Sequence, residues 1–586
     1  MTHHLLSLIV GAPAAAALVL FSVPATEKLF VRIVALTGAL ISLAGSIAVL
    51  ATYNLSEGGF QLRETYPLVP RLNISLSLAA DGWSVALLLL TGLIIVAGVL
   101  ASWTLENRQK EFFITLLILV AGVFGVFVAQ DLFVFFLFYE IAVLPMYLLI
   151  GIWGSSHAIT EGGPFKYIWK LFNIGDKQYA AMKLTLMLLV GSALILVGIL
   201  AIYSNGGHTF DLFALAKAHY PHHMQLFAFV LLWVGFGSLA GVFPFHTWSP
   251  DGHASAPTAV SMLHAGVLMK LGAFGLIRVG MILLPDGAHF WAPFVGTVAV
   301  INIVYGALAA MHQKDFKYVV AYSSVSHMGV VMLGAATLNV LAWNGAVFQM
   351  VAHGVMTGLL FALVGHVYER SHTRDTQRMG GFATVMPGVA TFFTIAVLSS
   401  LGLPGTAGFV AEFLVFLGAW HSAYSWWAVA GVVGAFVTAV YVLTIARRVF
   451  WGPPDPVKQF HELRDVRRTE WGALWILGAA IVVLGFWPGL ISSHIDKATV
   501  ANLQQVNGAA AVTLNDSGHA TRSTVGWAKQ SDAHRVRPSM MGSAPLHPSY
   551  ALTRPMPAAD RCRSAPPIQR AGSRAPDATT ATVVMR

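Results

Sequence analysis

Apolar runs of about 17–28 residues, separated by short polar or basic connections, fill the chain from residue 5 to residue 492. Stretches such as 85–102, 112–128, 184–203 and 426–446 reach or approach the roughly 20 residues a helix needs to cross a bilayer. The runs are continuous rather than alternating, which selects helices over a barrel. The pattern predicts an all-α integral membrane protein of about fourteen transmembrane helices. They fall near 5–22, 29–50, 80–103, 112–129, 131–153, 182–203, 224–243, 257–284, 289–311, 317–338, 343–366, 385–418, 423–450 and 471–492.

Two runs are interrupted. Residues 244–257 carry Pro244, His246, Pro250, Asp251, His253 and Pro257, too polar and too rich in proline for a lipid-facing helix. Residues 402–408 set Pro404 among three glycines inside an otherwise apolar segment. Irregular backbone at that depth must line a cavity or be buried in protein. The breaks fall at helices 7 and 12, five apart, and paired broken helices point to an inverted-repeat transporter with ion sites at the breaks. Beyond residue 508 Arg, Pro, Ser and Ala dominate without apolar periodicity, so 508–586 is expected to be a disordered tail.

Composition sharpens this picture. The chain is 56% hydrophobic and 10% charged, with a mean hydropathy of +0.69, whereas soluble domains carry roughly 25% charged residues. Its single cysteine, Cys562, cannot ligate an iron–sulfur cluster or form an internal disulfide. Electron carriers therefore belong on other chains. The net charge of +9 does not point to nucleic acid, because about a third of the Lys and Arg lie beyond residue 495 and most others flank spans.

Those flanks set an orientation. With the N-terminus outside, the inner connections hold Lys28, Arg32, Arg108, Lys110, Lys166, Lys170, Lys177, Lys314 and Lys317. They go on to hold Arg370, Arg374, Arg378, Arg447, Arg448, Lys458, Arg464, Arg467 and Arg468, while the outer loops hold little beyond Arg63, Arg71 and Lys217. This is the positive-inside asymmetry of a multi-pass protein. Residues 5–21 look superficially like a signal peptide, but they lack Lys or Arg in front and precede many spans, so they read as a retained first helix.

Candidate chemistry lies where charge meets the apolar runs. Glu140 sits mid-span with no charge within eight residues on either side. A charge at the bilayer centre costs at least about 2.5–3.5 kcal/mol, so such a residue faces the bundle interior and marks an ion or proton path. The blander alternative is a structural carboxyl satisfied by a neighbouring helix. Lys270 stands in equally apolar surroundings, about thirteen residues into its span, too deep to snorkel easily. Burial makes its charge conditional on its neighbours, the property of a proton-exchanging lysine. Glu412 follows the second break directly and reads as an inlet or outlet carboxylate, or else as a cap for broken backbone. His246, His253, His264, His327 and His353 add near-neutral titrating groups along the same bundle, although each alone reads equally as a hydrogen-bonded core histidine. A metal site at His246, His253 and Asp251 lacks a thiolate or further carboxylates. The match of 235–240 to a dinucleotide-binding glycine pattern has no preceding strand and lies inside a span, so its glycines read as packing contacts.

At this point the motifs resemble a known family. FPFHTWSPDGHASAPTA (243–259) followed by LHAGVLMKLG (263–272) is similar to the broken-helix signature of the M-type antiporter-like subunit of proton-pumping NADH:quinone oxidoreductase, complex I. This is the equivalent of mitochondrial NADH dehydrogenase subunit 4. FYEIAVLPMY (138–147), DFKYVVAYSSVSHMG (315–329), QMVAHG (349–354), YERSHTRD (368–375) and GLPGTAGFVAEF (402–413) carry the same likeness. The resemblance implies N-terminal helices 1–3 over 1–111 and inverted repeats of helices 4–8 and 9–13, over 112–284 and 285–450. Helix 14 and its flanks would occupy 451–507. It also implies a proton path through Glu140, Lys270 and Glu412 as the helix-5, helix-8 and helix-12 charges, with Lys317 at the start of helix 10. It places NADH, FMN, iron–sulfur clusters and quinone on other subunits and none on this chain. The implied partners are the L-, N- and K-type membrane subunits and the lipid bilayer, in the inner (plasma) membrane of a bacterium.

The sequence departs from the family at one point. A lysine is expected on helix 7 just before the break, paired with the helix-5 glutamate, yet 234–243 reads VGFGSLAGVF and no lysine occurs between Lys217 and Lys270. His246 and His264 are the candidate substitutes. Alternative functions are a D-type subunit of a multi-subunit cation/proton antiporter, the membrane subunit of a hydrogenase- or ferredoxin-linked complex, or a non-transporting scaffold.

Overall fold

The computed structural model describes residues 4–156, 175–453, 460 and 463–516. Lys166, Lys170 and Lys458 and the tail from residue 517 lie outside them. In order, the spans are α1 (Leu5–Ser22), α2 (Lys28–Thr52), α3 (Gly82–Ala101), α4 (Gln109–Val128), α5 (Leu132–Trp153), α6 (Lys177–Asn205), α7 (His222–Ser255) and α8 (Thr258–Met281). Then come α9 (Pro285–Met311), α10 (Phe316–Ala336), α11 (Val340–Ser371), the two halves of α12 (Pro387–Ser400 and Ala407–Trp420), α13 (Trp426–Phe450) and α14 (Arg468–Phe486). Thirteen of these are long and apolar enough to cross a membrane, and each half of α12 is too short to do so alone. A further helix, α15 (Gly489–Asp516), follows.

Burial separates the centre of the bundle from its rim. The apolar windows of α8 and α11 are wholly enclosed, and those of α10 and α3 are 94% and 89% buried, whereas α1, α2, α6, α13 and α14 bury 39% or less. A helix that is apolar all round must be enclosed by protein or lipid. The exposed side chains of the rim, among them Phe21, Leu186, Val190, Phe436 and Trp475, present the kind of surface that lipid or a neighbouring subunit covers. The candidate residues on α8, α10 and α11 therefore lie in the middle, remote from lipid.

Three features depart from the sequence expectation. Residues between α2 and α3 form an antiparallel hairpin, β1 (Gln61–Val69) and β2 (Ile74–Ala80). The Glu64 carboxylate on β1 accepts from the backbone N–H groups of Leu6 (2.8 Å) and Ser7 (3.1 Å) and from the Ser7 hydroxyl. It thus satisfies donors that the first turn of α1 cannot satisfy internally. At the other end of the chain, helix continues through Asp516, past the expected end of the last element and into the segment assigned to the tail.

The third departure is the first break, which is narrower than the polar run that marks it. Helix ends at Ala240, Gly241 takes φ +73° in the left-handed region that favours glycine, and helix resumes at Trp248 and runs to Ser255. Trp248 Nε1 donates to the Ser238 carbonyl (2.9 Å), tying the two parts of α7 together. Most of the proline-rich segment is therefore buried helix, because low-dielectric surroundings leave its backbone no water to bond. A Cβ on Gly241 would lie 2.6 Å from Met269 Cε, so the break packs against the residue preceding Lys270. In α12 the break is where the sequence places it, with Gly402 and Gly405 at φ +71° and +92°. A Cβ on Gly408 would meet the Ser399 carbonyl oxygen at 2.0 Å, which is how closely the two halves approach.

Candidate functional site

Lys270 lies on the regular helical segment Met269–Gly275 of α8, between two π-helical turns, His264–Leu268 and Leu276–Met281. Such wide turns inside α-helices recur at functional sites because they re-aim side chains and loosen the ladder. The lysine is fully buried. Its ammonium donates to the Ala265 carbonyl, five residues upstream in the first wide turn, and lies 2.5 Å from His353 Nδ1 on α11. The second contact requires Nδ1 to act as acceptor while the lysine is charged.

From His353 the contacts continue toward α12. The His353 and His327 rings are 5.4 Å apart, with His327 on α10. His327 Nε2 is 3.2 Å from Ser400 Oγ, the last residue of the first half of α12. His327 Nδ1 is 3.2 Å from Glu412 Oε1 in the second half, so this one ring spans the α12 break. Gln349 Nε2 also lies 3.2 Å from Nδ1. Bonding Glu412 requires a proton on Nδ1, whereas accepting from the Gln349 amide requires a lone pair there. The protonation of His327 therefore selects its partner. Lys270, His353, His327 and Glu412 form a line of titratable groups across the centre of the bundle.

On the other side of Lys270, the His253 and His264 rings are 4.0 Å apart. His264 stacks on Trp248 (5.0 Å) and His253 on Phe361 (5.1 Å). Both are buried, and none of their ring nitrogens has a protein partner among the described residues. Buried polar atoms left open in this way are unusual and call for water or a transferring proton. His253 is an electrostatic neighbour of Lys270 and Lys317, and Lys317 Nζ donates to the Ala256 carbonyl (2.7 Å) just before α8. His246, next to the α7 break, packs against Phe243 and Tyr305 at 5.8 and 5.0 Å.

Glu140 is set apart. It is half-buried on α5 between the exposed side chains of Leu137 and Leu144, and it faces Ser192 of α6. Its Oε1 has no partner, and no ion pair reaches it among the described residues. The stretch of α7 where a lysine is expected is filled by buried small and apolar residues, Gly235, Phe236, Gly237, Leu239 and Ala240. Of the proposed substitutes, His264 is drawn to His253 and Trp248, and His246 to Phe243 and Tyr305. Pro244 precedes a single 3₁₀ turn, Pro250 lies in the first turn of the resumed helix, Pro257 leads into α8 and Pro404 sits in the α12 break. Asp251, once considered as a metal ligand, is taken up by Lys183 Nζ (2.7 Å) and the Tyr318 hydroxyl (2.8 Å).

Sequence reasoning missed Lys183. The hydropathy pattern starts helix 6 at 182, which makes this lysine look like one more flanking charge, yet α6 begins at Lys177 and places it nearly two turns inside. It also missed two buried ion pairs, Arg278 with Asp81 (2.5 Å) and Arg370 with Glu470 (2.6 Å). Near-complete burial of these charges cannot be read from a linear pattern.

Comparison with known proteins gives a consistent result. The family model described as NADH:quinone oxidoreductase/Mrp antiporter, TM, matches residues 129–438. The chain is 40% identical over 470 residues to the NAD(P)H-quinone oxidoreductase chain 4 1 of Synechococcus sp. (strain JA-2-3B'a(2-13)), covering 79% of this chain and 85% of the relative. It is 38% identical over 505 residues to chain 4 2 of Thermosynechococcus vestitus, covering 85% and 91%. Among solved structures, a chain of respiratory complex I from Thermus thermophilus with bound NADH superposes with a TM-score of 0.76 at 28% identity, over 86% of this chain and 99% of that one. A chain of the Mrp complex from Dietzia superposes with a TM-score of 0.73 at 22% identity, covering 86% and 99%, and shares the fold.

Proposed function

This chain belongs to the NADH:quinone oxidoreductase/Mrp antiporter family of membrane subunits, and within it we propose that it is a chain-4-type, proton-translocating subunit of a NAD(P)H:quinone oxidoreductase. The observation that carries this reading is the buried line Lys270–His353–His327–Glu412, which links α8 to both halves of the broken α12. Each member can bind or release a proton, and each lies within hydrogen-bond or ring-contact range of the next. A proton held on Lys270 passes to His353 Nδ1, on to His327 and out through Glu412, with water completing the steps between rings. Moving one charge against the membrane potential costs about 2.3 kcal/mol per 100 mV, so the line must be driven. Quinone reduction elsewhere in the complex supplies the drive through charge changes along the bundle axis.

The same reading puts NADH, flavin, iron–sulfur clusters and quinone on partner subunits, consistent with a chain whose one cysteine lies in its tail. Its neighbours are the L-, N- and K-type chains, in a bacterial plasma membrane with the N-terminus outside and the basic end of the bundle inside. The four divisions at 111, 284, 450 and 507 belong to this reading as well. A second reading, a cation/proton antiporter subunit, is favoured by the shared fold with the Mrp chain.

Purification of the tagged chain from its native membrane separates the two. Flavin- and iron–sulfur-containing partners with NAD(P)H:quinone activity are the expected result. A set of small hydrophobic partners without redox centres, with sodium-dependent proton exchange, would make it an antiporter.

A further inference from the structure

Another charged pair within the spans lies outside the line described above. Lys183 of α6 and Asp251 of α7 are 2.7 Å apart, with 25% and 24% of their side chains exposed. The second carboxylate oxygen of Asp251 accepts from the Tyr318 hydroxyl of α10 (2.8 Å). Tyr322 lies within electrostatic range of Asp251, and His246 within that of Lys183. The pair sits toward the basic end of the bundle, one to two turns from the ends of α6 and α7 that carry Lys177 and Ser255.

What lies behind the pair gives it meaning. A Cβ on Gly252, the residue after Asp251, would come within 2.9 Å of Leu184 Cδ1 and 3.4 Å of His264 Cε1. One residue therefore separates a partly exposed carboxylate from the buried His264–His253 pair, whose ring nitrogens are open and which adjoins Lys270. A largely buried ion pair often adds no net stability over well-packed apolar residues of similar size, because desolvation offsets its attraction. Stability is thus a weak reason for keeping two charges in a membrane span, where charges mark ion and proton routes.

We propose that the Lys183–Asp251 pair is the proton inlet of this subunit, and that Lys183 supplies the controlling cation which α7 itself lacks. The inference rests on the proton-translocating reading above. Asp251 Oδ2 takes a proton from water at the basic end, and the neutral acid no longer holds the Lys183 ammonium. The proton moves through water to a ring nitrogen of His264 or His253, which restores the Asp251 carboxylate and its pairing with Lys183. The imidazolium then gives the proton to the free amine of Lys270, emptied beforehand toward His353. Asp251 carries the proton, while Lys183 acts through Asp251 as a positioning residue.

The test uses the intact complex in sealed membrane vesicles and counts protons moved per electron. It compares Lys183→Met, Asp251→Asn, the double variant and Lys183→Arg with Lys270→Met, and checks assembly by recovery of the partner subunits. Lys183→Met, Asp251→Asn and the double variant are expected to fall to within twofold of the Lys270→Met level, while Lys183→Arg keeps more than half of the native ratio. If the pair were only structural, the neutral double variant would recover native pumping, and that recovery would overturn the proposal. Native pumping in both single variants beside a defective Lys270→Met would also overturn it. Native pumping in Lys270→Met would instead sink the proton-path reading itself. Should Lys183→Met fail to assemble, Asp251→Asn decides alone, by the same criterion.

Discussion

Replacing Arg278 by methionine is expected to cost about 3–5 kcal/mol of stability, because it leaves a buried carboxylate without its counter-charge. Asp81 is 2% exposed, and its Oδ2 lies 2.5 Å from the Arg278 guanidinium. Its Oδ1 accepts from the Ser84 backbone N–H (2.9 Å), so the same group caps α3. The guanidinium is held among the rings of Phe60, Trp83 and Phe274, 5.0–5.2 Å from their centres, and lies 3.5 Å from Asn502 of α15. One arginine thereby joins α3, α8, α15 and the segment leading into the hairpin. Thermal unfolding of the purified complex should show this chain released well below the native midpoint. Adding Asp81→Asn to Arg278→Met should recover part of the loss, since a neutral pair removes the unpaired charge. Native stability in the single variant would mean that the pair is hydrated and contributes little.

The second large effect concerns the histidines of the relay. His353→Gln and His327→Gln keep a side chain of similar reach that can hydrogen-bond but cannot take up a proton near neutral pH. Each should slow proton transfer along the line by about 10²-fold, the lower end of what a positioned proton-transfer group contributes. His327→Gln should be the more damaging of the two. His327 lies 3.2 Å from Ser400 and, at its other nitrogen, 3.2 Å from either Gln349 or Glu412 as partner, and it bridges the two halves of α12. Both variants should still assemble, because the glutamine amide can still hydrogen-bond to the groups that each ring contacts. Proton uptake recorded after a pulse of electron donor measures the effect, and unchanged uptake in both would show that water carries the proton past the rings.

Much of this was legible in the sequence, for physical reasons that also explain what was not. Continuous apolar runs fix helix number and approximate limits, because nothing else satisfies backbone polar groups in lipid. The α12 break was readable from its glycines, two of which take positive φ. The α7 break was over-read: proline and polar residues at 244–257 look like irregular chain, but buried Trp248–Ser255 satisfies its own backbone as helix. Lys270, His327, His353 and Glu412 stood out as charges or titratable groups in apolar runs, and the fold brings them into one line. Glu140 stood out equally and lies partly buried between exposed leucines, away from that line, a placement hydropathy cannot give because it does not tell which face of a helix turns inward. The hairpin and the Lys183–Asp251 pair were invisible for a related reason. Each depends on contacts between residues far apart in the chain, such as Glu64 with the start of α1 and Lys183 with the resumed helix of α7.

The central claim is that protons cross through Lys270, and the direct test is the proton-to-electron ratio of the Lys270→Met complex in sealed inverted vesicles supplied with NADH and a quinone. Methionine fills the buried site without a titrating group, so the chain should assemble with its partners while the ratio falls below the native value. A native ratio in a fully assembled Lys270→Met complex would contradict the account and return this chain to the role of a scaffold.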